Sequence, residues 1–174
     1  MKTLQQLEAM WSAAPAAPRD RGTVELICVR VDRGVHRAPD AVEVTADDGV
    51  VGDRWSLAGD PARNYQITLI NAAVARFVAH AGAPAIDVGD NFHVNFDLSA
   101  EALPPGARLR LGGAVVEVTP EPHTGCSTFR SRFGVDALAW VNGKPRRHLR
   151  LRGVNVRVID PGRVCIGDVV ERVC

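Results

Sequence analysis

At 174 residues, 46% hydrophobic and 24% charged, the chain is long enough to bury a full hydrophobic core and needs neither a structural metal nor a disulfide to fold. A formal net charge of +1 excludes a surface built as a whole for nucleic acid or an anionic membrane, so any basic site must be local. Nothing resembles a membrane span, residues 1–18 lack a secretory pattern, and a cytoplasmic location with reduced thiols is expected.

Thr3 and Gln6 have the spacing of a capping box, and Leu4, Leu7, Met10 and Trp11 fall on one face of the helix that follows. Pro15 and Pro18 stop it, and residues 15–22 read as a connector. From Gly22 the pattern changes to period two with β-branched residues. Strands are predicted over 24–31, Ala41–Thr45, 65–70, 91–96, Arg108–Leu111, 114–119, 154–158, 163–166 and Val169–Val173, with Gly112-Gly113 as a two-residue hairpin turn suited to positive φ. Two internal helices compete, 71–80 with Asn71 as its cap, and 134–142, which stops at Gly143. Many short strands, few helices and no βαβ alternation predict a mainly β fold: a closed or nearly closed β-barrel with helices packed outside. The expected organisation is one domain over 1–174, with a helix and connector at 1–21 and the barrel core at 22–174.

The basic residues are skewed, with nineteen arginines to two lysines, Lys2 and Lys144. Arginine suits planar recognition of phosphate and carboxylate, although a codon bias produces the same skew. Under either reading covalent pyridoxal phosphate would have to use Lys144 or Lys2, which argues against that cofactor.

The four cysteines, at 28, 126, 165 and 174, form no C-x-x-C pair. Cys28 and Cys165 fall within apolar strand patterns and read as small core hydrophobes, while Cys174 is expected to be frayed. Cys126 differs. It stands in the loop Thr119-Pro120-Glu121-Pro122-His123-Thr124-Gly125-Cys126-Ser127-Thr128, whose prolines and glycine oppose regular structure. Arg130 and Arg132 follow closely, and cationic neighbours favour the thiolate; a loop cysteine without a role is the alternative. His123 reads as a proton-transfer partner for the thiol, as half of a His/Cys metal pair, or as a surface histidine. The pair alone makes no zinc site, because His36, His80, His93 and His148 show no matching spacing.

A second constellation is Lys144-Pro145-Arg146-Arg147-His148-Leu149-Arg150-Leu151-Arg152-Gly153. If extended, it puts Arg146, His148, Arg150 and Arg152 on one face, a stripe for phosphate or a nucleic-acid backbone, or merely a solvated face. The lack of interleaved aromatics weakens single-strand binding. Gly52-Asp53-Arg54 is a turn with a positioned charge.

Together these segments resemble the MOSC family, the domain at the C-terminus of molybdenum cofactor sulfurases and in stand-alone bacterial proteins. The matching pieces run in family order: Gly52-Asp53-Arg54, Ile67-Thr68-Leu69-Ile70, Gly89-Asp90-Asn91-Phe92, Pro105-Gly106-Ala107-Arg108-Leu109-Arg110-Leu111-Gly112, and the Cys126 loop after Val116-Glu117-Val118-Thr119. Arg152-Gly153-Val154-Asn155-Val156-Arg157-Val158 and Gly162-Arg163-Val164-Cys165-Ile166-Gly167-Asp168 complete the series. The resemblance covers about residues 22–173. It implies a β-barrel that binds the molybdenum cofactor, molybdopterin, or handles sulfur for it. The family's cysteine maps onto Cys126, which would carry a persulfide or ligate molybdenum; His123, a candidate catalytic residue from its own position, gives a His-x-x-Cys spacing that suggests a bacterial subgroup. Cofactor contacts would come from Arg54, Asn91, Arg130, Arg132, Arg150 and Arg152. Many members have proline next to the key cysteine where Gly125 stands here, and 174 residues leave no room for the pyridoxal-phosphate desulfurase domain of the eukaryotic sulfurases.

Three functions are therefore expected to compete. The first is reduction of N-hydroxylated compounds at a Cys126-ligated molybdenum, with electrons from a partner protein. The second is a sulfur-carrier or cofactor-delivery module, in which a donor protein loads a Cys126 persulfide. The third is a nucleic-acid or protein binding module using the 144–152 stripe, which the near-zero net charge disfavours.

Overall fold

A computed structural model describes residues 1–59 and 61–173, and in it the alternating segments close into a seven-stranded barrel. Around the ring the order is β1 (Arg21–Ile27), β12 (Val169–Val173), β8 (Arg108–Leu111), β9 (Ala114–Val118), β10 (Val154–Asp160), β6 (Ile67–Asn71) and β7 (Phe92–Asn95). Side chains alternate across a strand, so Val24, Phe92, Val94, Leu109, Val116 and Val156 fill the inside. The hairpin between β8 and β9 turns at Gly112, with φ +54°. A Cβ on Gly113 would stand only 2.9 Å from the Arg163 carbonyl oxygen, so both glycines are needed.

The strand expected over 24–31 is broken at Cys28. β1 stays in the barrel, while β2 (Val29–Asp32) pairs with β3 (Val35–Arg37) in a hairpin of its own. β4 (Ala41–Thr45), β5 (Gly49–Val50) and β11 (Gly162–Cys165) make a further small sheet. Cys28 is fully buried as expected, but Cys165 is only half-buried, because β11 lies in this small sheet rather than in the ring. The expectation for Cys174 lies outside the described residues.

Against expectation the barrel does contain a βαβ unit. β6 and β7 are parallel neighbours, joined through α2 (Ala72–Val78) and the 3-10 turn Ala85–Val88. Parallel strands cannot be joined by a tight turn, so the chain has to cross over the outside. β6 is consequently buried on both faces: Ile67 and Leu69 face the barrel interior and Ile70 faces the helices, which explains its nearly unbroken apolar sequence.

The helices share a second core. α1 (Leu4–Ala13) has both halves of the Thr3–Gln6 capping box, and its Leu7 is fully buried with Ile70, Val74 and Trp140 of α4 (Val135–Asn142). Asn71 caps α2, its Oδ1 accepting from the Ala73 amide at 2.9 Å. A further helix, α3 (Ser127–Phe133), begins inside the stretch expected to be a loop; Phe129 and Phe133, one turn apart, anchor it, and Gly134 (φ +93°) separates it from α4. Among the described residues no helix is long and apolar enough to cross a membrane.

Candidate functional site

Cys126 is the N-cap residue of α3 and its thiol is exposed. The residue before it is held from two sides: the Gly125 amide donates to Asn142 Oδ1 at 2.8 Å, and Asn142 Nδ2 donates back to the Gly125 carbonyl at 3.0 Å. A Cβ on Gly125 would meet Leu138 Cδ1 at 2.7 Å, so glycine lets this loop lie directly on α4. Partial burial works against ionising the thiol. The Phe129 and Thr128 amides, the Thr128 hydroxyl and the field of Arg152 outweigh it, leaving Cys126 below the ordinary thiol value.

The arginine that acts on this thiol is itself held by a buried carboxylate. Asp90 is fully buried and pairs with the Arg152 guanidinium through Nη1, while its other oxygen lies 2.7 Å from His123 Nε2. Burial pushes Asp90 up, but Arg152 and His123 win and hold it far below the usual carboxylate range. An ionised carboxylate only accepts, so His123 Nε2 carries the proton and Nδ1 is left as the free base. Burial in turn lowers the His123 pKa, which keeps the ring neutral. Arg152 Nη2 donates to the Val88 carbonyl at 3.0 Å and the guanidinium carbon sits 5.2 Å from the centre of the Phe129 ring. Its Nε is buried without a partner.

The loop that carries Asp90 is fixed from its other side by Asn91. Asn91 Nδ2 donates to Asp53 Oδ2 at 2.9 Å and to the Cys28 carbonyl, and Oδ1 accepts from the Thr68 amide at 3.1 Å. Asp53 in turn binds the Arg30 guanidinium with both oxygens, at 2.8 and 2.9 Å. Burial raises the Asp53 pKa, but Arg30 more than compensates and the carboxylate stays ionised.

The residues expected to form the site do not all come together. His123 and Arg152 meet at Asp90, and Arg152 is near enough to Cys126 to lower its thiol pKa. Arg130 is exposed one turn into α3, and Arg132 donates to the Asp87 carbonyl at 2.7 Å beside the same 3-10 turn. Asn91 is a correction: it is fully buried with its amide committed to the chain itself, so it positions the Asp90 loop and offers nothing to a bound molecule. In the Gly52-Asp53-Arg54 turn the anchored group is Asp53, whereas Arg54 is exposed. The 144–152 stripe does not form. Lys144–Leu149 is a 3-10 helix and Arg150 is left-handed (φ +49°), so Arg146, His148, Arg150 and Arg152 share no extended face. Arg150 separates from Arg152 and lines a cavity that includes neither Cys126, His123, Asp90 nor Arg152.

Sequence reasoning passed over Asp90 and Arg30. Asp90 was visible inside Gly89-Asp90-Asn91, but its partners are 33 and 62 residues away in the chain and leave no local pattern.

A model of the MOSC domain matches residues 62–171. The chain belongs to the MOSC domain family. Solved structures at low identity share its fold. The YUAD protein from Bacillus subtilis aligns with a TM-score of 0.62 at 18% identity, over 87% of this chain and 95% of that one. YiiM from Escherichia coli gives 0.60 at 17%, over 88% and 70%. YiiM from Geobacillus stearothermophilus gives 0.58 at 15%, over 88% and 75%. No functionally curated protein matches the chain. The MOSC family is associated with the molybdenum cofactor, and the donor set here is compatible with it: among the described residues no cluster of three or more His, Cys, Asp or Glu side chains could hold a metal alone, whereas one exposed, acidified thiol can supply a soft ligand to a metal that brings the rest of its ligands with it.

Proposed function

We propose that this MOSC protein binds the molybdenum cofactor at the Cys126 face and reduces N-hydroxylated compounds there, with electrons from a partner protein. The supporting observation is the Cys126 thiol itself, exposed, clamped through Gly125 by Asn142, and shifted toward thiolate. Cys126 would ligate the metal, and exposed Arg130 and partly exposed Arg132 on α3 would hold the pterin's phosphate. When bound, the cofactor supplies two-electron redox chemistry. The chain supplies the rest. Arg152, fixed by Asp90, favours the Cys126 thiolate, and His123 Nδ1 would accept or return a proton. Protein purified from a molybdenum-replete host should carry about one molybdenum and one pterin per chain. Metal-free protein from such a host would contradict the proposal.

A second reading uses the same thiol: an exposed thiolate also accepts and hands on sulfane sulfur. Here Cys126 would be heavier by one sulfur atom, removable by reductant and absent in Cys126→Ser. Retention of that labile sulfur in Cys126→Ser would exclude this reading.

A further inference from the structure

A cavity of about 940 Å³ lies away from Cys126. It opens between the end of α1, the connector after it, α2 and the segment 148–151, and its volume falls within the range of small-molecule sites. Trp11, Val74, Phe77, Leu98, Leu149 and Leu151 give it an apolar body. Its other arginines lie in ion pairs, two cations to three carboxylates: Arg19 with Asp97 and Glu101, and Arg76 with Glu25. Arg150 is the exception. Among the described residues no carboxylate meets it, and its one side-chain hydrogen bond is from Nη1 to the Leu103 carbonyl. It is also the only non-glycine residue among those described with positive φ, at the end of the 3-10 helix where glycine or asparagine is normally preferred. A long cationic side chain kept at such a position, half-buried in the wall of an apolar cavity, is costly unless something uses it.

We infer that this cavity is a second binding site, for a small amphipathic monocarboxylate whose apolar body fills the space between α1 and α2 and whose carboxylate pairs with Arg150. The apolar walls match the hydrocarbon, and the single unspent cation matches a single anionic head.

Calorimetric titration of the whole protein with decanoate, and with decanol as the uncharged counterpart, tests the inference. Decanoate should bind saturably, one per chain, with a negative heat-capacity change, and at least about tenfold more tightly than decanol. Arg150→Gln should reduce decanoate to the affinity of decanol, and Arg150→Lys should retain a preference for decanoate. Circular dichroism on both variants establishes that they fold; if Arg150→Gln does not, Leu149→Glu, which puts a carboxylate into the wall, should abolish decanoate binding instead. Cys126→Ser should bind decanoate as the wild type does. Absence of saturable binding, equal affinity for acid and alcohol, an Arg150→Gln variant that still prefers the acid, or loss of binding in Cys126→Ser would each overturn it.

Discussion

Cys28 sits fully buried at the break between β1 and β2, and burial pushes its thiol up to about 12 even though Arg30 lies near. Cys126, at the start of α3, is exposed and shifted the other way by nearby amides and Arg152. Both thiols have arginine in their electrostatic surroundings, so a nearby cation is not what separates them. Desolvation decides. In the apolar interior the cost of a buried thiolate exceeds what Arg30 returns, whereas at the surface a few donors suffice. The comparison extends to a carboxylate: Asp90 is as buried as Cys28 yet remains ionised, because Arg152 and His123 contact it directly.

The largest expected effect is on thiol reactivity. Iodoacetamide at neutral pH should label Cys126 at least about a thousandfold faster than Cys28, which becomes reachable only through rare opening; peptide mass mapping reads the ratio, and comparable rates would erase the contrast. The rate at Cys126 should also rise with a midpoint below the ordinary thiol value of about 8.5. Next comes Asp90→Ala, which leaves the 9%-exposed Arg152 guanidinium without its counter-charge and should cost about 3–5 kcal/mol in urea unfolding. Acid should destabilise the fold in two stages. His93, whose pKa burial lowers to about 4, and His123, lowered in the same sense, refuse protons that the unfolded chain accepts, so stability falls as pH drops below about 6.5, by roughly 3 kcal/mol at pH 4 from His93 alone. Asp90, depressed instead, contributes stability above its unfolded value that is lost below about pH 4. Urea midpoints measured from pH 7 to 4 check the first stage, and a flat profile would remove the neutral histidines. The smallest effect is at the loop clamp: Asn142→Ala should cost about 1 kcal/mol and move the Cys126 reactivity midpoint upward, toward that of a free thiol.

How far the sequence could be read follows from how local each cause is. The β8 and β12 strands, the Thr3–Gln6 capping box and the Asn71 cap depend on neighbours a few residues away, and their positions agree with the structure. α3 escaped because the prolines before Cys126 suggested a longer irregular stretch, although Phe129 and Phe133 one turn apart, followed by Gly134, were available as a signal. The parallel pairing of β6 with β7 has no local signature, since it depends on where α2 carries the chain. The basic stripe failed for a related reason: Pro145 at the start of the 3-10 helix favours a turn, and period-two counting through it groups arginines that the fold sends apart. Cys126 was legible from its loop, whereas the Asp90 ion pairs that set its surroundings were not.

In the function proposed, Cys126 ligates molybdenum through its thiolate sulfur. X-ray absorption at the molybdenum edge, on cofactor-loaded wild type and Cys126→Ser, tests it most directly. One sulfur neighbour present in the wild type and missing in the variant is the predicted result, and an identical sulfur count in both would contradict it.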